Sequence, residues 1–550
     1  MLKINIKDIK KYYGTRLILD IEELKIYEGD KIGIVGVNGV GKTTLLEIIN
    51  KNIDYDSGEL FIDKVVSIKY ISQLGEPDNK RIGGRYASIF QVSDKWDVSM
   101  SGGEKTRFKL AEGLESGSSL IMVDEPTSNL DISGIELIIN NFKKYRGTLL
   151  LVSHDRNLLD QVCNKILEID NGKCKIYNGD YSKYLKLKEE EISRKEFEYE
   201  EFIKEKNRLT NLKRDVENRS AKVKTTPGRM GRSEAKLHKM GGQTNKRTLD
   251  RLAKSIGKRI DRLEKKEKPI EQDIIKIKIL ESTKPYSKIL ISGKNINKSY
   301  GKNVIFKNGR FNIYNGKKVA LIGPNGSGKT TLINMILNKE NINISHNVRI
   351  GYFSQSMDIL DEKKTVLENV MEKSIHNENF ARLILARLLI RDNKVYERLE
   401  VLSGGERVKV SFAKMILEDI NLLVLDEPTN YLDINSLEVV EELLLNYNGT
   451  ILLVSHDRKL IENVAEELLI IKNKKIRNFK GTYKEYLKDK VKPKLNMKEK
   501  EIEEKIILLK NQISSLLGQI SIEENQENKK ELDKRYKLKL EELENLKKDI

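Results

Sequence analysis

The chain has 550 residues, of which 38% are hydrophobic, and a formal net charge of +18. At roughly 150 residues per domain this length predicts three or four domains, and no stretch approaches the ~18 consecutive apolar residues of a membrane-spanning helix. Two cysteines, Cys163 and Cys174, are too few for a disulfide framework or a four-cysteine zinc site. The first segment alternates apolar and polar residues through Leu2, Ile4 and Ile6, which predicts a half-buried strand rather than a signal peptide and hence a cytoplasmic chain.

The same series of motifs occurs twice, in the same order, along the chain. The paired motifs are a glycine-rich loop at 36–44 and 323–331, SGGE from Ser101 and Ser403, an apolar run ending in Asp-Glu at Asp124 and Asp426, and Ser-His-Asp-Arg around His154 and His456. The last three pairs share an offset of 302 residues. This duplication predicts two similar domains, at 1–180 and 290–490, which we term the first repeat and the second repeat.

Residues 181–289, termed the linker, separate the repeats and carry apolar residues at helical spacing. These residues are Phe202, Leu209, Leu212 and Val216, followed by Leu249, Leu252, Ile256, Ile260 and Leu263. The pattern predicts a helical hairpin with a tip near 217–246, where proline and glycine residues interrupt it. A first helix from 182 to 216 would be about 50 Å long at 1.5 Å per residue, so the hairpin should project beyond a compact domain.

Positive charge is concentrated in the middle of the linker. Between Lys213 and Arg259 there are 15 lysine and arginine residues against 4 acidic ones, so this stretch contributes +11 of the net charge. Such an excess favours contacts with nucleic-acid phosphates, with a solvated charged coiled coil as the alternative. Beyond the second repeat, apolar residues at coiled-coil spacing from Ile502 to Ile520 predict a C-terminal extension, 491–550, that forms an intramolecular hairpin or a partner contact.

Both glycine-rich loops match GxxxxGK[ST], whose backbone amides surround phosphates while its lysine and hydroxyl reach the β/γ oxygens and Mg²⁺. Each loop follows a strand-like apolar run and precedes a helix-like one, which is the context that the motif requires. The residues predicted to hold ATP are Gly36, Asn38, Gly39, Gly41, Lys42, Thr43 and Thr44 in the first repeat, and Gly323, Asn325, Gly326, Gly328, Lys329, Thr330 and Thr331 in the second.

A carboxylate follows a continuous apolar run in each repeat. Asp124 and Asp426 end such runs, and these runs read as buried strands. Because nucleotides bind at the carboxyl ends of strands in parallel sheets, we expect these aspartates to ligate Mg²⁺ together with Thr43 and Thr330.

Glu125 and Glu427 come one position after these aspartates and are predicted to polarise the attacking water. His154 and His456 are either hydrogen-bonded histidines at strand ends or contacts to the γ-phosphate, and their repetition favours the second interpretation. The remaining three histidines have no ligand spacing, so the sequence supports no metal other than Mg²⁺.

The glycine-rich Walker A loop, the SGGE signature, the Walker B strand with DEPT and the histidine switch together resemble ATP-binding cassette proteins over nearly the whole of both repeats. That family implies an α/β fold of two P-loop ATPase domains facing each other head to tail, with each ATP between Walker A of one repeat and the signature of the other. The first site would combine Lys42, Gln73, Asp124, Glu125 and His154 with Ser403, Gly404 and Gly405. The second would combine Lys329, Gln355, Asp426, Glu427 and His456 with Ser101, Gly102 and Gly103.

The same resemblance places Gln73 and Gln355 on Mg²⁺ as well as on the nucleotide. Tyr13 and Tyr300 resemble the aromatic residues that stack on adenine, with an ordinary surface or core aromatic as the alternative. Because both repeats retain the lysine, serine, aspartate, glutamate and histidine, the family implies an ATPase with two hydrolysing sites. The interval between the glutamine and the signature is 28 residues in the first repeat and 48 in the second, which predicts a curtailed helical subdomain in the first.

Tandem repeats, a long basic linker and a Tyr-x-Gly-x-Tyr-x-x-Tyr stretch leading into it resemble subfamily F of these proteins, the ABC-F proteins of translation. The linker break at 225–242 is similar to that of bacterial antibiotic-resistance members. This implies a monomeric factor, not associated with membranes, that enters the E-site region of the large subunit of the bacterial ribosome, beside P-site tRNA and 23S rRNA near the peptidyl-transferase centre. There it would displace lincosamides, pleuromutilins and streptogramin A.

Two alternatives stay open. One is a housekeeping ABC-F translation factor that acts on stalled or idle ribosomes. The other is the ATPase subunit of an ABC transporter, which would need a separate membrane partner and would leave the basic hairpin without a use.

Overall fold

The computed structural model describes residues 1–223, 241–264, 266, 287–354, 359–429, 432–491, 497–522 and 526–548. The chain divides into two units, Met1–Lys480 and Gly481–Ile550. The first unit contains the first repeat, the linker helices and the second repeat as far as Lys480, and the second unit contains the C-terminal helices from Tyr483 onward. The domain bounds derived from the sequence stay predictions.

The first repeat contains two sheets. Its strands are β1 (Leu2–Tyr13), β2 (Arg16–Tyr27), β3 (Lys31–Val35), β4 (Ser57–Ile62), β5 (Ile68–Ile71), β6 (Leu120–Asp124), β7 (Thr148–Val152), β8 (Lys165–Asp170) and β9 (Lys173–Asn178). The larger sheet has the order β5-β6-β7-β3-β8-β9 and is parallel except for the β8–β9 pair, and β2-β1-β4 form an antiparallel sheet. The predicted first strand is confirmed, because Ile4, Ile6 and Ile9 are fully buried.

Helices cover both faces of the parallel sheet. They are α1 (Lys42–Ile49), α2 (Gly84–Phe90), α3 (Gly102–Glu115), α4 (Ile132–Lys144) and α5 (Arg156–Val162). Successive residues of a strand point to opposite faces, and in β6 Ile121 and Val123 join one apolar cluster whereas Leu120 and Met122 join the other. Every residue of β6 and β7 is buried, so the continuous apolar runs of the sequence form the centre of the sheet.

The second repeat has the same topology. Its strands are β10 (Ile289–Tyr300), β11 (Asn303–Tyr314), β12 (Lys318–Ile322), β13 (Ile342–Ile344), β14 (Ile350–Phe353), β15 (Leu422–Asp426), β16 (Thr450–Val454), β17 (Glu467–Lys472) and β18 (Lys475–Phe479). The orders β14-β15-β16-β12-β17-β18 and β11-β10-β13 match those of the first repeat. Its helices are α8 (Lys329–Leu337), α9 (Val366–Met371), α10 (Glu378–Arg387), α11 (Gly404–Leu417), α12 (Ile434–Asn446) and α13 (Arg458–Val464), with 3-10 turns at Asp392–Tyr396 and Leu399–Val401.

The repeats differ before the signature. In the first repeat one helix, α2, lies between β5 and α3, whereas α9, α10 and two 3-10 turns lie between β14 and α11 in the second. The curtailed helical subdomain expected in the first repeat is therefore present.

The linker contains two paired helices, α6 (Tyr181–Lys222) and α7 (Gly241–Asp261). At 1.5 Å per residue the 42 residues of α6 span about 63 Å, so α6 is longer than expected and ends at Lys222 rather than near residue 216. Leu209, Val216 and Ala253 are buried, and Ser220 Oγ donates to Asp250 Oδ1 at 2.6 Å. Most of the expected tip lies outside the described residues.

The second unit is helical, with α14 (Tyr483–Val491), α15 (Met497–Ile522) and α16 (Gln526–Lys548). Leu509 of α15 and Leu543 of α16 are buried against each other with Ile513 beside them, so the predicted coiled-coil hairpin is confirmed. Within the described ranges, no helix is both long and apolar enough to cross a membrane.

Candidate nucleotide sites

Each glycine-rich loop folds around the ammonium group of its lysine. The loop joins β3 to α1, and Lys42 Nζ donates to Gly36 O at 2.7 Å and to Val37 O at 3.2 Å. Gly41 precedes α1 with φ at +105°, and a Cβ there would lie 2.8 Å from the side chain of Ile18, so only glycine fits. The first amides of α1 have no partner within the helix and carry its positive dipole end, which makes the loop an anion site.

The second repeat builds the same loop between β12 and α8. Lys329 Nζ donates to Gly323 O at 3.0 Å, and Gly328 has φ at +101°. The carbonyl groups of Gly36 and Gly323 thus hold the lysine ammonium inside each loop.

A hydroxyl and a carboxylate lie side by side at the carboxyl end of β6 in the first repeat and of β15 in the second. Thr43 Oγ1 donates to Asp124 Oδ2 at 2.7 Å, and Thr330 Oγ1 donates to Asp426 Oδ2 at 3.3 Å. Burial raises the pKa of both aspartates, against the opposing effects of the threonine hydrogen bond and the nearby lysine. Mg²⁺ takes oxygen ligands of this kind, so the chemistry of these donors fits that ion.

The glutamates that follow are held in an uncommon backbone conformation. Glu125 and Glu427 have φ at +48° and +52°, the left-handed region that a non-glycine residue occupies only when its surroundings impose it. Oε1 of each is buried and has no hydrogen-bond partner in the described part of the chain. Burial is the main cause that raises the pKa of both carboxyls.

The histidines approach these unpaired carboxylate oxygens. His154 Nε2 lies 3.5 Å from Glu125 Oε1 and 3.1 Å from Asn38 Oδ1, and His456 Nε2 lies 3.3 Å from Glu427 Oε1. Burial lowers the pKa of His154 to about 3 and that of His456 to about 4. Both rings are therefore neutral near pH 7, and each can donate or accept one hydrogen bond beside the glutamate.

A cavity of about 360 Å³ lies over the first loop. Its lining residues are Tyr13, Ile18, Asn38, Gly39, Gly41, Lys42, Thr43, Thr44, Gln73, Asp124, Glu125, Val152 and His154. All of them belong to the first repeat. The structure therefore brings together the loop, Tyr13, Gln73, Asp124 and the catalytic pair that the sequence predicts for this site.

A larger cavity of about 1040 Å³ lies between the repeats. Its walls include Lys329, Thr330, Thr331, Tyr300, Asp426, Glu427 and His456 of the second repeat with Ser101, Gly102 and Gly103 of the first. The signature of the first repeat thus faces the loop of the second, as expected for a head-to-tail pair. Ser403, Gly404 and Gly405 line neither of these two cavities, and Gln355 lies outside the described residues.

Three residues without a predicted role form hydrogen bonds beside the sites, namely Asn129, Asp131 and Lys109. Asn325 Nδ2 donates to Asn129 O at 3.0 Å and Asn325 N donates to Asp131 Oδ2 at 3.2 Å, so the loop of the second repeat is hydrogen-bonded to the first. Lys109 Nζ donates to Ser72 O at 2.8 Å and Gln73 O at 2.9 Å, which ties the glutamine segment to the signature helix α3. The signal for Asp131 was present, because the repeated motif ends in Leu-Asp in both repeats.

Each signature begins a helix. Ser101 Oγ accepts the amide of Glu104 at 3.3 Å and donates to its carboxylate at 2.7 Å, and Ser403 makes the same pair of bonds with Glu406. This is a capping box, which satisfies amides at the start of α3 and α11.

The family model described as ABC transporter matches residues 19–97 and 306–430. The ribosome protection protein VmlR of Bacillus subtilis is 33% identical over 82% of this chain and 83% of its own length. The erythromycin resistance ATP-binding protein MsrA of Staphylococcus epidermidis is 34% identical over 82% and 93%. The ATP-binding protein Uup of Buchnera aphidicola is 31% identical over 96% and 89%.

The chain belongs to the ABC-F subfamily of ATP-binding cassette proteins. It is therefore an ATPase built from two cassette domains. A solved archaeal ribosome recycling factor, in complex with the ribosomal stalk protein aP1, has a TM-score of 0.57 at 18% identity and covers 90% of this chain and 98% of its own. This structural likeness shows the tandem-cassette fold.

Ion pairs join the two repeats of this ABC-F protein at the arginines that lie two residues after His154 and His456. Arg156 Nη2 lies 2.6 Å from Glu441 Oε2 and 3.8 Å from Asp457 Oδ2, and Arg458 Nη1 lies 3.1 Å from Glu136 Oε1. Arg156 is buried, whereas the Glu136 side chain is 48% exposed. The arginine two residues after each histidine thus contacts the opposite repeat. The Arg156 pair is largely buried, whereas the Arg458 pair lies near solvent.

Tyr13 and Tyr300 are half-exposed at the cavity rims, at 50% and 57%. Lys11 Nζ lies 5.6 Å from the ring centre of Tyr13, and Lys298 Nζ lies 5.7 Å from that of Tyr300. An exposed ring beside a phosphate-binding loop can stack on a planar base, so both positions suit the adenine role.

Proposed function

We propose that this ABC-F ATPase is a cytoplasmic ribosome-protection factor. It binds the E-site region on the large subunit of the bacterial ribosome and extends its linker beside P-site tRNA toward 23S rRNA near the peptidyl-transferase centre. There it displaces drugs of the lincosamide, pleuromutilin and streptogramin A classes. The observation that carries the proposal is α6, a helix about 63 Å long that pairs with a basic helix between two ATPase repeats.

Similarity to relatives supports the choice among ABC-F functions. Two of the relatives named above carry ribosome protection or erythromycin resistance in their names. The charge of the linker supports an RNA partner, since Lys246, Arg247, Arg251 and Lys254 of α7 are all exposed. Exposed cations along one helix attract a phosphate backbone without sequence readout.

In this proposal both sites hydrolyse ATP. Bound Mg²⁺-ATP supplies the phosphoanhydride bond and a cation that neutralises its oxygens. Lys42 and Lys329 hold phosphate oxygens. The metal would be held by Thr43 and Asp124 in the first repeat and by Thr330 and Asp426 in the second. Glu125 and Glu427 orient water through the unpaired Oε1, and His154 and His456 donate their single N–H toward the γ-phosphate.

The second site is composite, between the Lys329 loop and the Ser101 signature. Gln73 reaches both cavities and would contact the metal of the first site, and Gln355 is proposed for the second by analogy alone. Ser403 to Gly405 stay assigned to the first site only as a prediction, because they line neither cavity.

The decisive experiment removes linker charge while keeping the fold. A variant with Lys246, Arg247, Arg251 and Lys254 changed to Gln is compared with a control in which exposed Lys51, Lys64, Lys144 and Lys173 are changed to Gln. Both lose four charges. We expect the linker variant to bind ribosomes more weakly and to give less antibiotic protection. Its logarithmic salt slope should fall by about 0.7–0.9 for each phosphate that the linker no longer neutralises.

Equal ribosome affinity and protection in the two variants would refute the proposal. Loss of growth without any drug, when the gene of the native chain is replaced by that of the linker variant, would favour the housekeeping alternative. Recovery of the native chain with membranes rather than ribosomes would favour the transporter alternative.

A further inference from the structure

Asp160 contacts the start of the linker helix. It lies on α5, six residues after His154, and its side chain is 20% exposed. Asp160 Oδ1 accepts the backbone amide of Ser182 at 2.6 Å and Oδ2 accepts the Ser182 hydroxyl at 2.8 Å. Ser182 is the second residue of α6, where amides lack helical partners and the dipole attracts negative charge. The carboxylate therefore anchors the start of α6 to the helix that follows His154.

The second repeat reaches the same carboxylate. Lys459, on α13 and three residues after His456, has its Nζ 2.5 Å from Asp160 Oδ2. The same ammonium lies 5.8 Å from the ring centre of Tyr181, the first residue of α6, which is buried. One carboxylate thus joins the helices behind both histidines to the start of the linker.

The duplicated sequence differs at these two positions. An offset of 302 residues places Asn157 opposite Lys459 and Glu462 opposite Asp160. Glu462 pairs with Arg458 on its own helix at 3.4 Å, whereas Asp160 pairs across the repeats. Because Asn157 carries no charge, the reciprocal pair with Glu462 cannot be an ion pair, so the ion pair between Lys459 and Asp160 is not duplicated.

We infer that Asp160 is a positioning residue that transmits closure of the two repeats to the linker helix. When ATP holds the repeats together, Lys459 stands against Asp160, so the carboxylate is fixed and the Ser182 amide is held. When the repeats separate, Lys459 withdraws and Asp160 retains only its bonds to Ser182, so the first turn of α6 opens more often. The inference rests on the proposed function only in taking the linker as the working element.

Hydrogen exchange of the purified full chain, without ribosomes, tests this. The parent carries Glu125→Gln and Glu427→Gln so that ATP is held and not hydrolysed. We expect ATP, compared with ADP, to slow exchange of the Ser182 amide about tenfold, in keeping with the loss of a hydrogen bond to a charged group. Adding Lys459→Met should reduce the difference to less than about twofold while ATP is still retained.

The matched control is Glu136→Gln, which removes the Arg458 ion pair between the repeats without touching α6. It should keep the tenfold difference. Asp160→Asn retains an acceptor for Ser182 but loses the charge that Lys459 needs, so exchange should become insensitive to ATP while the helix content stays unchanged.

A persistent tenfold effect in Lys459→Met, or no effect of ATP in the parent, overturns the inference. Equal losses in Glu136→Gln and Lys459→Met also overturn it, because general loosening of the interface would then explain both. Failure of the proposed function would appear as absent ribosome binding or protection and would leave these exchange rates as they are, so the two failures are distinguishable.

Discussion

The cavity around Lys329 is lined by residues of both repeats, with Ser101, Gly102 and Gly103 opposite the loop. Among the described residues, the smaller cavity over Lys42 is lined by the first repeat, although its Glu125 and His154 also border the larger cavity. Across the interface, the charge of Asp433 opposes the lowering of the pKa of Lys42 and His154 by burial, and the charge of Asp131 does the same for Lys329 and His456. Both sites contain the same Walker, glutamate and histidine residues. A duplicated motif therefore defines half of a cassette site, and the surface of the opposing repeat defines the other half.

The aspartate that ends the repeated Leu-Asp motif also has different partners in the two repeats. Asp131 of the first repeat accepts the Asn325 amide of the second loop, whereas its counterpart Asp433 is buried in an ion pair with Lys409 at 3.2 Å. The segment before the signature is also longer in the second repeat. We therefore expect the two sites to differ in nucleotide binding and turnover, and the following experiments test that difference.

The largest effect is expected from the catalytic glutamates. Changing both Glu125 and Glu427 to Gln removes the carboxylate charge that polarises the attacking water, so ATP hydrolysis should fall by at least about 100-fold. Binding of ATP should persist, because Lys42 and Lys329 remain. Phosphate release at saturating ATP measures the rate, and retention of ATP on the purified chain measures binding.

The single variants separate the contributions of the two sites to hydrolysis. If the Lys329 site is the complete one, Glu427→Gln should lower the rate more than Glu125→Gln. Equal losses would mean that the opposing surface does not distinguish the sites, and wild-type turnover in the double variant would remove both glutamates from the mechanism.

A smaller effect is expected from the signatures. Ser101→Arg places a long side chain in the cavity around Lys329, and overpacking of this kind costs about 1–3 kcal/mol, so ATP affinity there should fall about tenfold or more. Ser403→Arg should change affinity at the Lys42 site by less than about threefold. Binding is measured in chains with one loop disabled, by Lys42→Ala or Lys329→Ala.

The reverse pattern, with a large loss at the Lys42 site from Ser403→Arg, would show that both sites are equally composite. Loss at the Lys42 site from Ser101→Arg would contradict the head-to-tail arrangement itself.

The smallest effect is the pH dependence of the free energy of unfolding that arises from Asp155, next to His154. Burial and the nearby Asp457 raise the pKa of Asp155 to about 6. A carboxyl whose pKa is raised in the folded state destabilises it when ionised, so the cost is present above pH 6 and disappears as the pH falls toward the unfolded value. Asp155→Asn should therefore stabilise the chain by about 1–2 kcal/mol at pH 7.5 and by about a third as much at pH 4.5, where the unfolded carboxyl is still mostly ionised.

Asn at this position still accepts the amides of Asn157 and Leu158, as Asp155 does. The comparison variant is Asp457→Asn, which should stabilise less because Arg156 lies 3.8 Å from that carboxylate. Thermal midpoints at the two pH values measure both. A gain from Asp155→Asn that is the same at both pH values would exclude the charge as its cause.

Local sequence patterns predicted what is local in the structure. The apolar run before Asp124 forms a fully buried strand, and the glycine-rich loops surround their lysines because the motif fixes its own backbone. Helical spacing also predicted the linker helices. It did not identify their contact faces, since Leu212 and Leu252 belong to the apolar pattern yet are 41% and 48% exposed.

Contacts between the repeats were not predictable in the same way. Asn129 and Asn325 are 196 residues apart in sequence, and Lys459 and Asp160 are 299 apart. Each of these residues is ordinary for its local position. Their roles depend on how two folded domains are placed against each other, which no pattern within one repeat encodes.

The serine–glutamate pairs at the start of α3 and α11 have one further consequence. Ser101 Oγ donates its proton to Glu104 and completes a helix cap within its own repeat. A phosphate at the Lys329 site would compete for that same proton, so nucleotide binding exchanges one acceptor for another and does not create a bond where none existed. The signature helix therefore keeps its cap when the repeats are apart, and the interface can assemble and separate through many ATP cycles without unfolding the surface that recognises the nucleotide.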